Sequence, residues 1–306
     1  MKIAVIGAGA VGCYYGGMLA RSGNDVLLIG RPRHVEAINQ SGLRMETATF
    51  DEFVAVRAST DIGQVHDAEI VLFSVKSKDT IQTAESVRPY LRKDATVICL
   101  QNGVGGAEIL RDRLGTQVVA SAVYVACEMR AHGHVKHHGR GDLIVGGSRK
   151  CNEVALLFLD ASIPTKVSDD VSVALWEKLI LNCAYNAMSA LSQLPFAGIK
   201  PISIAGNAMR NVIGECLAVA RAEGVALEQS VEQQWRRIRE TIPLGQYSSM
   251  AHDLRVGRET EIAFINGEIV ERGRHLGVPT PLNEMLVALV SMLEGRQVFC
   301  DSHAGV

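Results

Sequence analysis

MKIAVIGAGAVG, residues 1–12, decides the architecture. Lys2–Ile6 is a short β-branched run of strand type, and Gly7, Gly9 and Gly12 follow it in GxGxxG spacing where a helical pattern begins. Gly7 permits the tight turn, Gly9 lets a pyrophosphate approach the backbone, and Gly12 lets helix and strand pack closely. Ala10 and Val11 bring the first amides of that helix to the same point, and a helix N-terminus attracts phosphate. The stretch predicts a dinucleotide held by Gly7, Gly9, Ala10, Val11 and Gly12. GxGxxG alone is a weak signal; the strand before it and the helix after it make it specific.

Working outward, DVLLI at 25–29, EIVLFSV at 69–75, TVICL at 96–100 and VVASAVYV at 118–125 alternate with helical stretches. That alternation predicts a parallel sheet covered by helices on both faces. HVKHHG at 134–139 and DLIVGG at 142–147 read as a hairpin, with an apolar helix following around Val154–Leu159. Strand patterns stop near Ser168. Beyond it, 171–194, 203–223, 229–239, 249–256, 261–276 and 282–293 carry apolar residues at three- and four-residue spacing. PFAGIKP, IPLG and LGVPTP punctuate these helices. The expected fold is α/β plus all-α: a Rossmann-like dinucleotide-binding domain over residues 1–168 and a helical substrate and catalytic domain over 169–306.

A chain of 306 residues has room for two cores. With 47% hydrophobic residues, 21% charged residues and a formal net charge of −2, it has no electrostatic reason to bind nucleic acid or a membrane, so the expected partner is a small molecule. The seven cysteines, at 13, 99, 127, 151, 183, 216 and 300, show no CxxC spacing and read as reduced thiols. The opening strand without a leader, and the lack of a long apolar run, point to the cytoplasm. The oligomeric state stays open, a homodimer included.

At the tip of the second strand, where an NAD enzyme usually places a carboxylate for the ribose, the sequence reads IGRPRH. Arg31 there would pair with a 2′-phosphate, which predicts NADP(H) as the cofactor. Lys76 and Asn102 follow two inner strands at their carboxyl ends, where open α/β sheets bind ligands, and both are expected to face the cofactor. A surface lysine and a plain Asn-Gly turn are the competing readings.

In LWEKLILNCAYNAMSAL, Lys178, Asn182 and Asn186 are spaced i, i+4, i+8 on one stripe of an otherwise apolar helix, with Tyr185 and Ser189 nearby. A solvent-facing stripe favours Glu, Lys, Arg and Gln over asparagine, so this one is expected to line a cleft. Ser249 and Glu261 lie in SSMAHDLRVGRETEIAFING. Gly257 can end one helix there and Thr260 can cap the next, which would put Glu261 in a first turn, where a dipole partner is the plain reading. The histidines of HGHVKHH at 132–138 alternate faces along a strand and lack acidic or cysteine partners at ligand spacing, so no metal is expected.

The chain resembles the ketopantoate reductases over nearly its whole length. The likeness is carried by GAGAVG with Arg31, SVKSKD, LQNGVG, HHGRG, LWEKLILNCAYNAMSAL and SSMAHDLRVGRETEIAFING, in the family's order. The resemblance implies NADPH-dependent reduction of a small 2-keto acid, ketopantoate giving pantoate. It implies Lys178 as catalytic acid, Glu261 as the carboxylate that helps hold substrate and lysine, Asn102, Asn182, Asn186 and Ser249 as substrate-holding groups, and Arg31 and Lys76 on the cofactor side. The chain departs from the pattern at Ala263, where the family often has Asp, and at Gln246, near a common Asn. A 3-hydroxyacid or polyol-phosphate dehydrogenase shares the architecture without this constellation. A non-catalytic NADP(H) sensor would need no lysine and asparagine stripe.

Overall fold

The computed structural model describes residues 1–227 and 229–303, with 296–303 described by backbone alone. The chain divides into two compact units, Met1–Ala174 and Leu175–Val306.

The first unit runs β1 (Lys2–Ile6), α1 (Ala10–Arg21), β2 (Asp25–Ile29), α2 (Pro32–Ser41), β3 (Leu43–Glu46), β4 (Asp51–Val54), β5 (Arg57–Ser59), β6 (Ile70–Phe73), α3 (Thr80–Val87), β7 (Thr96–Cys99), α4 (Gly106–Leu114), β8 (Gln117–Ala131), β9 (His134–Gly146), α5 (Cys151–Asp160) and β10 (Thr165–Val167). One mixed sheet holds the strands in the order β4-β3-β9-β8-β7-β6-β1-β2-β5, with β10 beside β9. From β5 across to β8 every pairing is parallel. The central strands are short apolar runs because both their faces are covered: β6 and β7 are buried at every residue. Tyr15 and Leu19 of α1, Ile3, Val5 and Leu28 of the sheet and Phe158 of α5 share one core, each worth roughly 1.5–3 kcal/mol of burial.

Register sets where a ligand can sit. Ile6 lies beside both Ile29 and Phe73, and Phe73 beside Cys99. The segments after β1, β2, β6 and β7 therefore leave the sheet along one edge.

Three expectations change here. HVKHHG and DLIVGG are not two arms of a hairpin but one strand, β9, paired antiparallel with β8. The polar HHGRGD stretch looks like a turn because it bulges: Gly139, Arg140 and Gly141 all have positive φ, and the register against β8 shifts beside them. Arg140 is held there by two hydrogen bonds to Asp142, at 3.1 and 2.9 Å, with its guanidinium 4.4 Å above the Tyr124 ring. The short strands β3, β4, β5 and β10 were not expected at all.

The second unit contains most of α6 (Val171–Ser192), then α7 (Phe196–Ile199), α8 (Ser203–Ala222), α9 (Val231–Thr241), α10 (Ser249–Arg255), α11 (Asn266–Leu276) and α12 (Pro281–His303). The division falls inside α6, beyond Ser168, because the helix's first turn packs on the sheet. A Cβ on Gly146 would meet that of Val171 at 2.6 Å, and the Tyr124 hydroxyl donates to the Ala174 carbonyl at 3.4 Å. The third correction concerns Glu261. It precedes a 3-10 turn, Ile262–Phe264, and α11 starts only at Asn266, so Glu261 is not in the first turn of an α-helix. Thr260 does not cap an α-helix either: its hydroxyl accepts the Ile262 amide at 3.2 Å, while the residues ahead of the 3-10 turn and of α11 are Glu261 and Ile265.

Cys13, Cys99, Cys127, Cys151, Cys183 and Cys216 are free thiols, all but Cys127 buried; the Cys300 side chain lies outside the described residues. Burial pushes Cys99 up to about 11, so it is protonated near neutrality. Among the described residues no helix is long and apolar enough to cross a membrane.

Candidate active site

The glycine turn is built as its spacing requires. Gly7 has a φ of +99°, and a Cβ there would stand 2.7 Å from the Ser74 carbonyl carbon. A Cβ on Gly12 would meet the Gly7 carbonyl oxygen at 2.2 Å, which no side chain tolerates. Gly9 is the opposite case. It is exposed, it has nothing within 4 Å of where a Cβ would be, and it caps α1 with no side chain of its own. The amides of Ala10, Val11 and Gly12 open α1 directly after it, and α1 has no acidic residue in its first turn. A helix N-terminus of this kind fits a pyrophosphate.

Hydrogen bonds lock the neighbouring loops to that turn. The Gly7 and Ala8 amides donate to the Ile29 carbonyl at 3.1 and 3.0 Å. Arg31, two residues past Ile29, is the exposed N-cap residue of α2, and among the described residues its side chain has no ion pair. Ser74 closes the third side: its hydroxyl donates to the Gly7 carbonyl at 2.8 Å. Lys76, exposed, follows two residues on. The Gln101 amide then ties the β6 and β7 ends together, donating to the Val75 carbonyl at 3.0 Å and the Thr80 hydroxyl at 2.7 Å. Asn102, half-buried, is next in the chain, ahead of Gly103 with its φ of +91°. Ser74 and Gln101 were missed at the sequence level. Their signal, a polar residue just past each apolar strand, was present in SVKSKD and LQNGVG.

In the helical unit, Lys178 and Asn182 of α6 are half-buried and Asn186 is buried. The next turn anchors the segment ahead of α10. Ser189 accepts the Ser248 amide at 3.2 Å, and the Ser248 hydroxyl donates to the Asn186 carbonyl at 3.0 Å while accepting the Ala251 amide at 3.0 Å. Ser248 is thus the buried anchor, and Ser249, exposed, follows it as the first residue of α10. Tyr185 donates its hydroxyl to the Gln246 carbonyl, and burial raises its phenol so that it keeps that proton. Glu261 is carried on a segment tied to α6 as well. Asn266, fully buried, donates through Nδ2 to the Cys183 carbonyl at 3.1 Å, between Asn182 and Asn186, and to Asn283 at 3.0 Å. Asn283 is held in turn by Glu215 at 2.7 Å.

The histidines have other partners. His134 and His138 pair with Glu46 and Glu128 at 3.1 and 3.0 Å, and His137 stacks 4.3 Å from the Tyr14 ring. Among the described residues no group of three His, Cys, Asp or Glu side chains could hold a metal ion.

A sheet edge shaped for a dinucleotide, in one chain with a helix that sets a lysine among asparagines, is the equipment of a nicotinamide-dependent oxidoreductase acting on a CH–OH group. Two family models narrow that class. Residues 3–150 match the ketopantoate reductase PanE/ApbA model and residues 170–294 its C-terminal counterpart. The chain belongs to the ketopantoate reductase family. It is 32% identical to the 2-dehydropantoate 2-reductase of Pyrococcus abyssi, covering 97% of this chain and 100% of the relative. Among solved structures it is similar to the PanE/ApbA family ketopantoate reductase of Ralstonia eutropha JMP134, with a TM-score of 0.92, 52% identity and coverage of 97% and 99%. It is also similar to a D-mandelate dehydrogenase bound to NADH and anilino(oxo)acetate, with a TM-score of 0.91, 25% identity and coverage of 97% and 99%.

Proposed function

We propose that this protein reduces 2-dehydropantoate to pantoate with NADPH, the step that feeds pantothenate and coenzyme A synthesis, and that Lys178 is the general acid. The observation that carries the reading is the stripe of Lys178, Asn182 and Asn186 on α6, a lysine drawn half out of water on an apolar helix. The full-length similarity to 2-dehydropantoate 2-reductases supports the choice of substrate.

Gly7, Gly9, Ala10, Val11 and Gly12 hold the pyrophosphate, Arg31 the 2′-phosphate, and Lys76 and Asn102 the part of the cofactor nearer the inner strands. When bound, the cofactor supplies the hydride. The rest falls to this chain. Lys178 donates a proton to the keto oxygen as it gains negative charge, and Glu261 holds lysine and substrate. Asn102, Asn182, Asn186 and Ser249 bind the substrate's carboxylate and hydroxyl groups, since amides and hydroxyls offer both donors and acceptors.

A second reading, reduction of a different 2-keto acid, is favoured by the similarity to a D-mandelate dehydrogenase together with Ala263 and Gln246. A substrate screen that follows NADPH oxidation decides between them. Ketopantoate is expected to be the best substrate; an aryl or branched 2-keto acid turned over far faster, with ketopantoate inert, would transfer the assignment to the second reading.

A further inference from the structure

His34 lies in the first turn of α2, three residues past Arg31, yet the residue is only 7% exposed. Its Nδ1 accepts the backbone amide of Gly133 at 2.9 Å, from the turn that joins β8 to β9. With that nitrogen an acceptor, Nε2 carries the proton of the neutral ring. Nε2 faces Cys13 Sγ at 3.2 Å, and the Cys13 thiol in turn donates to the Ala8 carbonyl at 3.4 Å. All three hydrogen bonds are satisfied by one placement of the protons. Burial, with His132 adding to it, depresses His34 below the ordinary imidazole range, in keeping with a neutral ring.

This relay encloses the loop that bears Arg31. Ala8 sits between the first two motif glycines, and a Cβ on Gly30 would stand 2.8 Å from its methyl group. The backbone amides of His34 and Val35 both donate to the Arg31 carbonyl, each at 3.0 Å. Gly133 is fixed independently. Its carbonyl accepts the Arg44 amide at 2.8 Å, and a Cβ there would press on Ala37 at 3.2 Å. The imidazole therefore links three elements, the glycine turn, the start of α2 and the β8–β9 turn, and Arg31 leaves from their junction.

We propose that His34 is a positioning residue for cofactor selection: through Cys13 and Gly133 it fixes the start of α2 so that Arg31 is presented to a 2′-phosphate. The inference rests on the assignment of Arg31 to that phosphate. A group acting this way matters for NADPH and hardly for NADH, which has no 2′-phosphate; a group that only fills space affects both alike.

The test measures kcat/KM with NADPH and with NADH for the parent protein, Arg31→Ala, His34→Phe, His34→Gln and the double variant Arg31→Ala/His34→Phe. Phe keeps bulk but makes neither hydrogen bond, while Gln can accept from Gly133 and donate to Cys13. His34→Phe is expected to lower the NADPH-to-NADH ratio about three- to tenfold, the scale of one or two hydrogen bonds. His34→Gln should stay near the parent, and the double variant should fall no lower than Arg31→Ala. Where His34→Phe does not fold, Cys13→Ala breaks the same relay from the other side and should lower the ratio in the same sense. Equal losses for both cofactors, no loss for either, or effects of His34 and Arg31 that simply add, overturn the inference and leave the Arg31 assignment standing. An unchanged ratio in Arg31→Ala instead refutes that assignment, and this inference falls with it.

Discussion

At the residue scale the proposed function turns on Lys178. A long ammonium-bearing side chain half-buried on an apolar helix is costly unless partners or function require it. Lys178→Ala is expected to lower kcat in the reduction direction by about 10²–10⁴, the usual worth of a positioned general acid. NADPH binding should persist, because the glycine turn and Arg31 lie in the other compact unit. Steady-state kinetics with an NADPH titration checks both halves; a folded variant of near-normal kcat would pass the role to Lys76. What was legible in the sequence is a stripe drawn out of full solvent, and the structure leaves Lys178 and Asn182 half-buried and Asn186 buried: asparagines are poor helix formers, and two of them four residues apart on an apolar helix call for a reason. The role assigned to Ser249 rests on resemblance, and its buried neighbour Ser248, the N-cap of α10, was not singled out, since nothing in a run of two serines says which one caps the helix.

Among elements, the parallel strands could be read because burial on both faces leaves an unbroken apolar run bounded by turn residues. β3, β4 and β5 could not. They have three or four residues each, lie toward the two ends of the sheet, and are too short to show a period. β9 was misread because three positive-φ residues inside a strand carry the chemistry of a turn. The segment before α11 was misread because Thr260 and Glu261 look like a helix start whether an α-helix or a single 3-10 turn follows. Packing decides there, through Asn266, which holds that segment to α6 and to Asn283 of α12. Asn266→Ala leaves the Asn283 carbonyl oxygen without this donor in a buried setting and is expected to cost about 1–3 kcal/mol. Urea denaturation reads the loss, and an unchanged midpoint would mean that the network contributes nothing to stability.

For the whole molecule, the glycine turn and Lys178 lie in different compact units, so the proposed roles in cofactor binding and proton donation are expected to separate by mutation. Gly9 supplies the cleanest probe. Its φ of −81° suits any L-residue, and a Cβ there would meet nothing within 4 Å, so Gly9→Val should leave the unliganded protein folded, at a cost of about 1 kcal/mol for a poorer N-cap residue. The same side chain would stand at the start of α1, where the pyrophosphate is proposed to bind. A ligand that binds only the folded state at a hundred times its Kd adds about 2.7 kcal/mol. For a unit of this size that amounts to a rise in Tm of roughly 5–10 °C. Thermal melting with and without NADPH is therefore expected to show that rise in the parent and in Lys178→Ala, and to show almost none in Gly9→Val. A full shift in Gly9→Val would place the pyrophosphate away from the glycine turn. A lost shift in Lys178→Ala would mean that the lysine contributes to holding the cofactor, and the kinetic loss in that variant could then no longer be assigned to proton donation alone.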